Sequence, residues 1–303
     1  MLDICLLGTG GMMPLPNRWL TACLVRYEGH VLLIDCGEGT QITMRRTNWS
    51  FKAIDAICFT HFHGDHIGGL PGMLLTIGNA GRTEPLRLIG PRGLKHIVEG
   101  LLLIAPDLPF SLDFTEIDGP DAMFDIWGMQ VRPFRVDHRV VCYGYSIEIH
   151  RLPKFQPERA QALEIPLPYW KLLQQGQTVT DGDMVYTPDM VLGPERKGLK
   201  FCYCTDSRPK PSISEAVHGA DLFICEGMYG DPEKQQSARE KKHMTYQEAA
   251  RLARDGEVKE LWLTHYSPSL VNPKEFLELA QSIFPNTIPG KDRKETTLRF
   301  EEP

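Results

Sequence analysis

Five short apolar runs in this chain each stop on a histidine or an aspartate, and that shared ending restricts the fold more than any other feature. Run 31–34 stops at Asp35, and run 56–60 at His61. Run 131–136 leads into Asp137 and His138. Run 201–205 stops at Asp206, and run 261–264 at His265. In layered α/β folds, functional groups gather beyond the carboxyl ends of strands, where loops from several strands converge. Five endings of this kind predict one composite site.

The second run opens the densest cluster. Residues 58–70 read Cys-Phe-Thr-His-Phe-His-Gly-Asp-His-Ile-Gly-Gly-Leu, which puts His61, His63, Asp65 and His66 within six positions. Lone pairs so crowded, and partly desolvated, need a partner. Imidazole and carboxylate together suit zinc or a similar divalent ion. With the later strand ends the set is large enough for two ions. His61, His63 and His138 would hold one, Asp65, His66 and His265 the other, and the two oxygens of Asp206 would bridge them. Asp35 is expected to hydrogen-bond a ligand histidine and fix its tautomer.

A chain of 303 residues with 42% hydrophobic and 24% charged residues can bury a sizeable core. Its formal net charge of -6 gives no global attraction to nucleic acid. The eight cysteines lie mostly inside apolar runs and form no CxxC pair, so they read as small buried hydrophobes of a reducing compartment. Cys202 and Cys204 share a strand face, a remote alternative as soft metal ligands. With no basic leader and no apolar stretch of spanning length, the expected location is cytoplasmic, with no membrane partner.

Periodicity predicts strands at 2–7, 21–27, 30–35, 55–60, 86–89, 129–136, 143–149, 199–205, 221–225 and 258–264. Helices are expected at 38–46, 67–78, 92–104, 212–218, 246–254 and 273–283. Thr245 and Glu248 fit a capping box before the fifth helix, and Gly256 follows its last turn. From 151 to 198 prolines are frequent and aliphatic periods sparse. The expectation is one layered α/β domain over 1–303, with an insertion or reduced arm at about 151–198.

His61-x-His63-x-Asp65-His66, followed in order by His138, Asp206 and His265, resembles the metallo-β-lactamase superfamily. That resemblance implies a four-layer αββα sandwich carrying a dimetal hydrolytic site. Finer features resemble the ribonuclease Z branch, endonucleases that trim the 3′ trailer of precursor tRNA. They are Leu7-Gly8-Thr9-Gly10, the string from Asp35 to Gln41, Gly69-Leu70-Pro71-Gly72, Gly90-Pro91 with Gly93, Gly144-Tyr145, and Gly176-Gln177-Thr178-Val179. His243, ahead of a helix with Ala249-Ala250, resembles the branch's second catalytic histidine, and Glu226 the carboxylate that orients it. The pattern departs at Leu167-Pro168, at Gln174-Gln175 where lysines are expected, and at Ser269 where arginine is common. Lys171 is kept.

The resemblance implies two divalent ions, zinc by default with manganese or iron also suited, and a homodimer. Asp65 would orient or deprotonate the attacking water. His243, held by Glu226, would stabilise the phosphate or protonate the leaving oxygen. The expected substrate is precursor tRNA or another phosphodiester. Two alternatives stay open at this level: a small-molecule hydrolase on the same fold, and a non-catalytic metal-binding subunit. Arg196, Lys197, Lys200, Arg208 and Lys210 would form a solvated basic face or a substrate path.

Overall fold

The computed structural model describes residues 1–301. Two compact units emerge, Met1–Glu148 with Lys200–Arg299, and Ile149–Leu199 with Phe300 and Glu301.

The larger unit opens with β1 (Leu2–Gly8), β2 (Ala22–Tyr27), β3 (His30–Ile34), α1 (Thr40–Met44), β4 (Ile54–Cys58), α2 (Gly64–Ile67), α3 (Leu70–Asn79), β5 (Leu86–Gly90), α4 (Leu94–Leu101) and β6 (Leu112–Glu116). It continues through β7 (Phe124–Ile126), β8 (Met129–Arg135) and β9 (Tyr143–Arg151). The smaller unit contains α5 (Pro157–Ala162), α6 (Leu167–Gln174), β10 (Val179–Asp181), β11 (Met184–Tyr186) and α7 (Pro188–Val191). The chain returns along β12 (Arg196–Cys204), α8 (Pro211–Val217), β13 (Leu222–Glu226), α9 (Gln235–Lys241), α10 (Tyr246–Asp255), β14 (Leu261–Thr264), α11 (Leu277–Gln281), β15 (Thr287–Pro289) and β16 (Lys294–Leu298).

Two seven-stranded mixed sheets result, in the orders β16-β1-β2-β3-β4-β5-β6 and β15-β14-β13-β12-β9-β8-β7. Strands β3 to β6 pair in parallel, as do β12 to β15. Strands buried on both faces should read as nearly continuous apolar runs, and these do. In the first sheet Cys5, Leu7, Leu24, Leu33 and Ile57 pack against Met73, Leu74 and Ile77 of α3 and Leu94 and Val98 of α4. The alternating residues Ile4, Leu6, Val25, Leu32 and Ile34 are equally buried on the opposite face. The second sheet repeats this, with Cys202, Cys204, Phe223 and Leu263 against α8 and α10, and Tyr203, Ile224 and Trp262 buried on the other side. The Tyr145 hydroxyl of the second sheet donates to the Phe59 carbonyl beyond β4 at 2.6 Å. Helix, sheet, sheet and helix form the four-layer metallo-β-lactamase sandwich. Each fully buried aliphatic side chain contributes about 1.5–3 kcal/mol to it.

Four strands of the two large sheets escape the periodicity: β6, β7, β15 and β16. Their sequences are short or polar (Leu-Asp-Phe-Thr-Glu, Lys-Glu-Thr-Thr-Leu), and they lie at or beside sheet edges, where one-sided burial weakens the apolar signal. The expected helix 67–78 divides into α2 and α3, and 273–283 shrinks to α11. The capping box forms as expected: Glu248 N donates to Thr245 Oγ1 at 3.4 Å, and Thr245 N to Glu248 Oε2 at 3.0 Å. All eight cysteines are buried and free.

The smaller unit has its own core of Ala160, Ile165, Leu173, Tyr186 and Val191, flanked by Phe155, Tyr169 and Trp170. Lys171 lies on α6, which ends at Gln174, with Gly176 at φ 81°. Among the described residues, no helix is long and apolar enough to cross a membrane.

Candidate active site

The predicted strand endings converge within the larger unit. Asp35 follows β3, His61 follows β4, His138 follows β8, Asp206 follows β12, His265 follows β14, and Glu226 is the last residue of β13. Asp35, Asp206 and His265 all adopt left-handed backbone conformations, with φ of 58°, 51° and 55°. Outside glycine that conformation costs on the order of 1 kcal/mol each, and strain of this kind clusters at functional sites.

Two sets of ligand atoms form. In the first, His61 Nε2 is 2.9 Å from His63 Nδ1, and His138 Nε2 is 3.4 Å from the same atom. Asp206 Oδ2 lies 3.7 Å from both His61 Nε2 and His138 Nε2. In the second, His66 Nε2 and His265 Nε2 are 3.2 Å apart, each 3.1 Å from Asp206 Oδ1, and Asp65 Oδ2 is 3.4 Å from His265 Nε2. Both sets are compact enough for each to hold one metal ion. A third combination, Asp206, His243 and His265, is as compact, but His243 Nδ1, 4.0 Å from Asp206 Oδ2, lies closer to Glu226 Oε2, at 3.1 Å. No cysteine belongs to such a group among the described residues, so Cys202 and Cys204 remain core residues.

The electrostatics fit a cation. Burial, with the neighbouring imidazoles, holds His61 well below the usual histidine range, and burial also lowers His63 and His138. These rings are therefore neutral and keep lone pairs. Burial opposes the charges of Asp65 and Asp206, but the surrounding imidazoles outweigh it and keep both carboxylates ionised. At His66 burial disfavours charge, yet Asp206 and Asp35 raise its pKa well above normal, so the position favours positive charge at Nε2. Asp206 Oδ1 is buried and receives no hydrogen bond among the described residues. An orphaned carboxylate oxygen between two imidazoles is the donor set a divalent ion completes.

Three of the rings, His66, His138 and His61, are oriented from behind. His66 Nδ1 faces Asp35 Oδ2 at 2.8 Å, and His138 Nδ1 faces the Lys242 carbonyl at 3.2 Å. Thr60 Oγ1 lies 2.8 Å from Asp35 Oδ2 and 3.1 Å from His61 Nδ1, while Cys142 Sγ is 3.6 Å from the same nitrogen. Partners at Nδ1 leave the opposite Nε2 lone pair available.

His243 is buried beside this centre. Its Nδ1 is 3.1 Å from Glu226 Oε2, which also accepts from Met244 N at 3.1 Å. Burial opposes its charge, but the Glu226 carboxylate prevails and raises its pKa to about 9. A cavity of about 290 Å³ opens over His63, Asp65, His138, Asp206, His243 and His265, and Met12, Arg139 and Lys241 complete its lining.

Two contributors are missing from the strand-end pattern. Met12 N donates to Asp65 Oδ2 at 2.7 Å, and Gly11 lies so close to the His265 ring that an added Cβ would stand 2.7 Å from its Cε1. The Gly8–Gly11 stretch reads as an ordinary turn in sequence; its abutment on Asp65 and His265 exists only in three dimensions. Arg208 requires a correction. It lies on no solvated face but is largely buried, paired with Glu248. His30 pairs with Asp55 at 2.9 Å and stacks on Trp127, away from the site groups.

A sequence profile described as "Beta-lactamase superfamily domain" matches residues 182–266, and one described as "Anti-Pycsar protein Apyc1" matches residues 2–103. Ribonuclease Z of Lachnoclostridium phytofermentans is 58% identical over 302 residues, covering 100% of this chain and 99% of that protein. Ribonuclease Z of Agathobacter rectalis is 57% identical over 302 residues, covering 100% of both. Among solved structures, the short form of human tRNase Z has a TM-score of 0.69 at 24% identity, covering 98% of this chain and 100% of that one. The metallo-β-lactamase fold protein YhfI from Bacillus subtilis has a TM-score of 0.70 at 19% identity, covering 97% and 98%. The last two share the fold, whereas the full-length identity to the first two carries further: the chain belongs to the ribonuclease Z family.

Proposed function

We propose that this chain cleaves the 3′ trailer from precursor tRNA by hydrolysing one phosphodiester, leaving a 3′-hydroxyl and a 5′-phosphate. The supporting observation is Asp206, whose Oδ1 faces one ligand set at 3.1 Å and whose Oδ2 faces the other at 3.7 Å. His61, His63 and His138 would hold one divalent ion, Asp65, His66 and His265 the other, with Asp206 between them. Zinc suits this imidazole-rich set, and manganese or iron can occupy the same ligands. When bound, such ions supply positive charge that acidifies water and neutralises phosphoryl oxygens.

The chain's own groups supply the remaining steps. Asp65, ionised and held by the Met12 N–H, would orient the attacking water or deprotonate it. His243 turns Nδ1 to Glu226, so Nε2 is the nitrogen that can donate to the leaving 3′-oxygen. Arg139 and Lys241 at the rim attract the phosphate locally, which a net charge of -6 does not do globally. Segment 151–198, with Lys171, would act as the RNA-gripping arm, and the enzyme would work as a homodimer. Full-length identity of 58% to a ribonuclease Z supports RNA as the substrate.

The test compares trailer-bearing precursor tRNA with bis(p-nitrophenyl) phosphate, each with added zinc and with manganese, and sizes the enzyme by sedimentation. A single cut giving a 3′-hydroxyl tRNA end supports the proposal. Turnover of the small diester alone would replace it with a small-molecule phosphodiesterase.

A further inference from the structure

The groups that hold His243 extend beyond Glu226. His243 lies in the short connection between α9 and α10, where Lys242 adopts a left-handed conformation at φ 63°. A connection of this kind does not fix a side chain by itself. One guanidinium spans it: Arg208 Nη1 donates to the His243 carbonyl and, at 3.0 Å, to Glu248 Oε2, while Arg208 Nη2 donates to Glu248 Oε1. Its side chain is 14% exposed and that of Glu248 8%, so the pair is shielded from water. A planar, bidentate Arg–carboxylate pair sets direction as well as distance, which lysine cannot reproduce.

Glu248 is fixed in turn. It caps α10 through Thr245 N at 3.0 Å and accepts from Gln235 Nε2 of α9 at 2.8 Å. Arg208 is also fixed, because its backbone N–H donates to the Asp137 carbonyl at 2.9 Å, and the preceding Ser207 N–H donates to Glu226. Arg208 therefore lies two residues after Asp206 and one residue before Pro209, and it ties the strand end that carries the bridging carboxylate to the loop that carries His243.

We infer that Arg208, clamped by Glu248, is a positioning residue for His243: it fixes the distance from the proposed proton donor to the leaving oxygen and does not touch the substrate. This inference rests on the proposed role of His243. If it is right, loss of Arg208 harms only those reactions whose leaving group needs a proton. A nucleoside 3′-oxygen needs one; p-nitrophenolate, a weak base, does not.

The experiment measures kcat and KM for H243A, R208A, R208K and E248Q on trailer-bearing precursor tRNA and on bis(p-nitrophenyl) phosphate, with metal content and thermal melting recorded for each. Glutamine at 248 keeps the cap hydrogen bonds and removes the charged clamp. The expected result is an RNA-selective fall in kcat, about 10- to 100-fold, for the Arg208 and Glu248 variants, with metal content unchanged. H243A should show the same selectivity and a larger loss. Should R208A fail to fold, R208K and E248Q give the same readout. Equal losses on both substrates in the Arg208 and Glu248 variants, or none on either, beside a selective loss in H243A, overturn this inference alone. Unselective loss in H243A overturns the role of His243 and this inference with it.

Discussion

Nδ1 of His66 lies 2.8 Å from Oδ2 of Asp35, and neither side chain is reached by solvent. The carboxylate also accepts Thr60 N and Thr60 Oγ1, each at 2.8 Å, and the same hydroxyl lies 3.1 Å from His61 Nδ1. One buried carboxylate therefore orients a ring of each ligand set, one directly and one through a hydroxyl. Asp35→Asn keeps the shape but exchanges an acceptor for a donor opposite His66. The expected outcome is a metal affinity about 10- to 100-fold weaker with the fold intact, read by titration against a competing chelator. Unchanged affinity would show that Asp35 serves only the strand turn.

Gly11 faces the His265 ring with no room for another atom, since a Cβ there would be 2.7 Å from Cε1 and 2.9 Å from Nε2. Gly11→Ala should push this ring off the second ligand set while leaving His61, His63 and His138 in place. Metal analysis is expected to fall from about two ions per chain toward one, with activity largely lost. Two ions retained at full activity would show that the loop yields instead.

Much of this site was legible because its residues follow buried strands, where apolar runs mark the element and the next polar residue marks its end. His61, His138, Asp206 and His265 are of this type. Met12 was not legible: its contribution is a backbone N–H, which sequence does not distinguish by residue type. Arg208 was misread because a guanidinium in a Pro-rich loop looks solvated until its partner is known, and Glu248 is 40 residues away. The edge strands β6 and β16 were lost for a related reason, since their ladder partners, not their own side chains, make them strands.

His243 has a pKa raised to about 9 because Glu226 outweighs the effect of burial. The ring is protonated below that pH and loses its donor proton above it. Bound cations repel this proton, so the alkaline limb of activity should lie at or below pH 9 in the loaded enzyme. Glu226→Gln removes the charge that favours protonation. Its pH–kcat profile on RNA should shift the alkaline limb downward by about 1–3 units. An unmoved limb would assign it to another group.

Metal removal should separate the fold from the site. The two apolar faces of each sheet do not depend on any ion, whereas Asp206 Oδ1 and His265 Nδ1 are buried with no hydrogen-bond partner among the described residues. After chelation the chain should keep its far-ultraviolet circular dichroism, lose turnover, and melt at a lower temperature. An ion present at a hundred times its dissociation constant stabilises the folded state by about 2.7 kcal/mol, which for a chain of this size corresponds to a shift of roughly 4 °C per ion. Zinc or manganese added back should restore both melting temperature and turnover. An identical melting temperature with and without chelator, in protein verified free of metal, would count against the two ligand sets as metal sites.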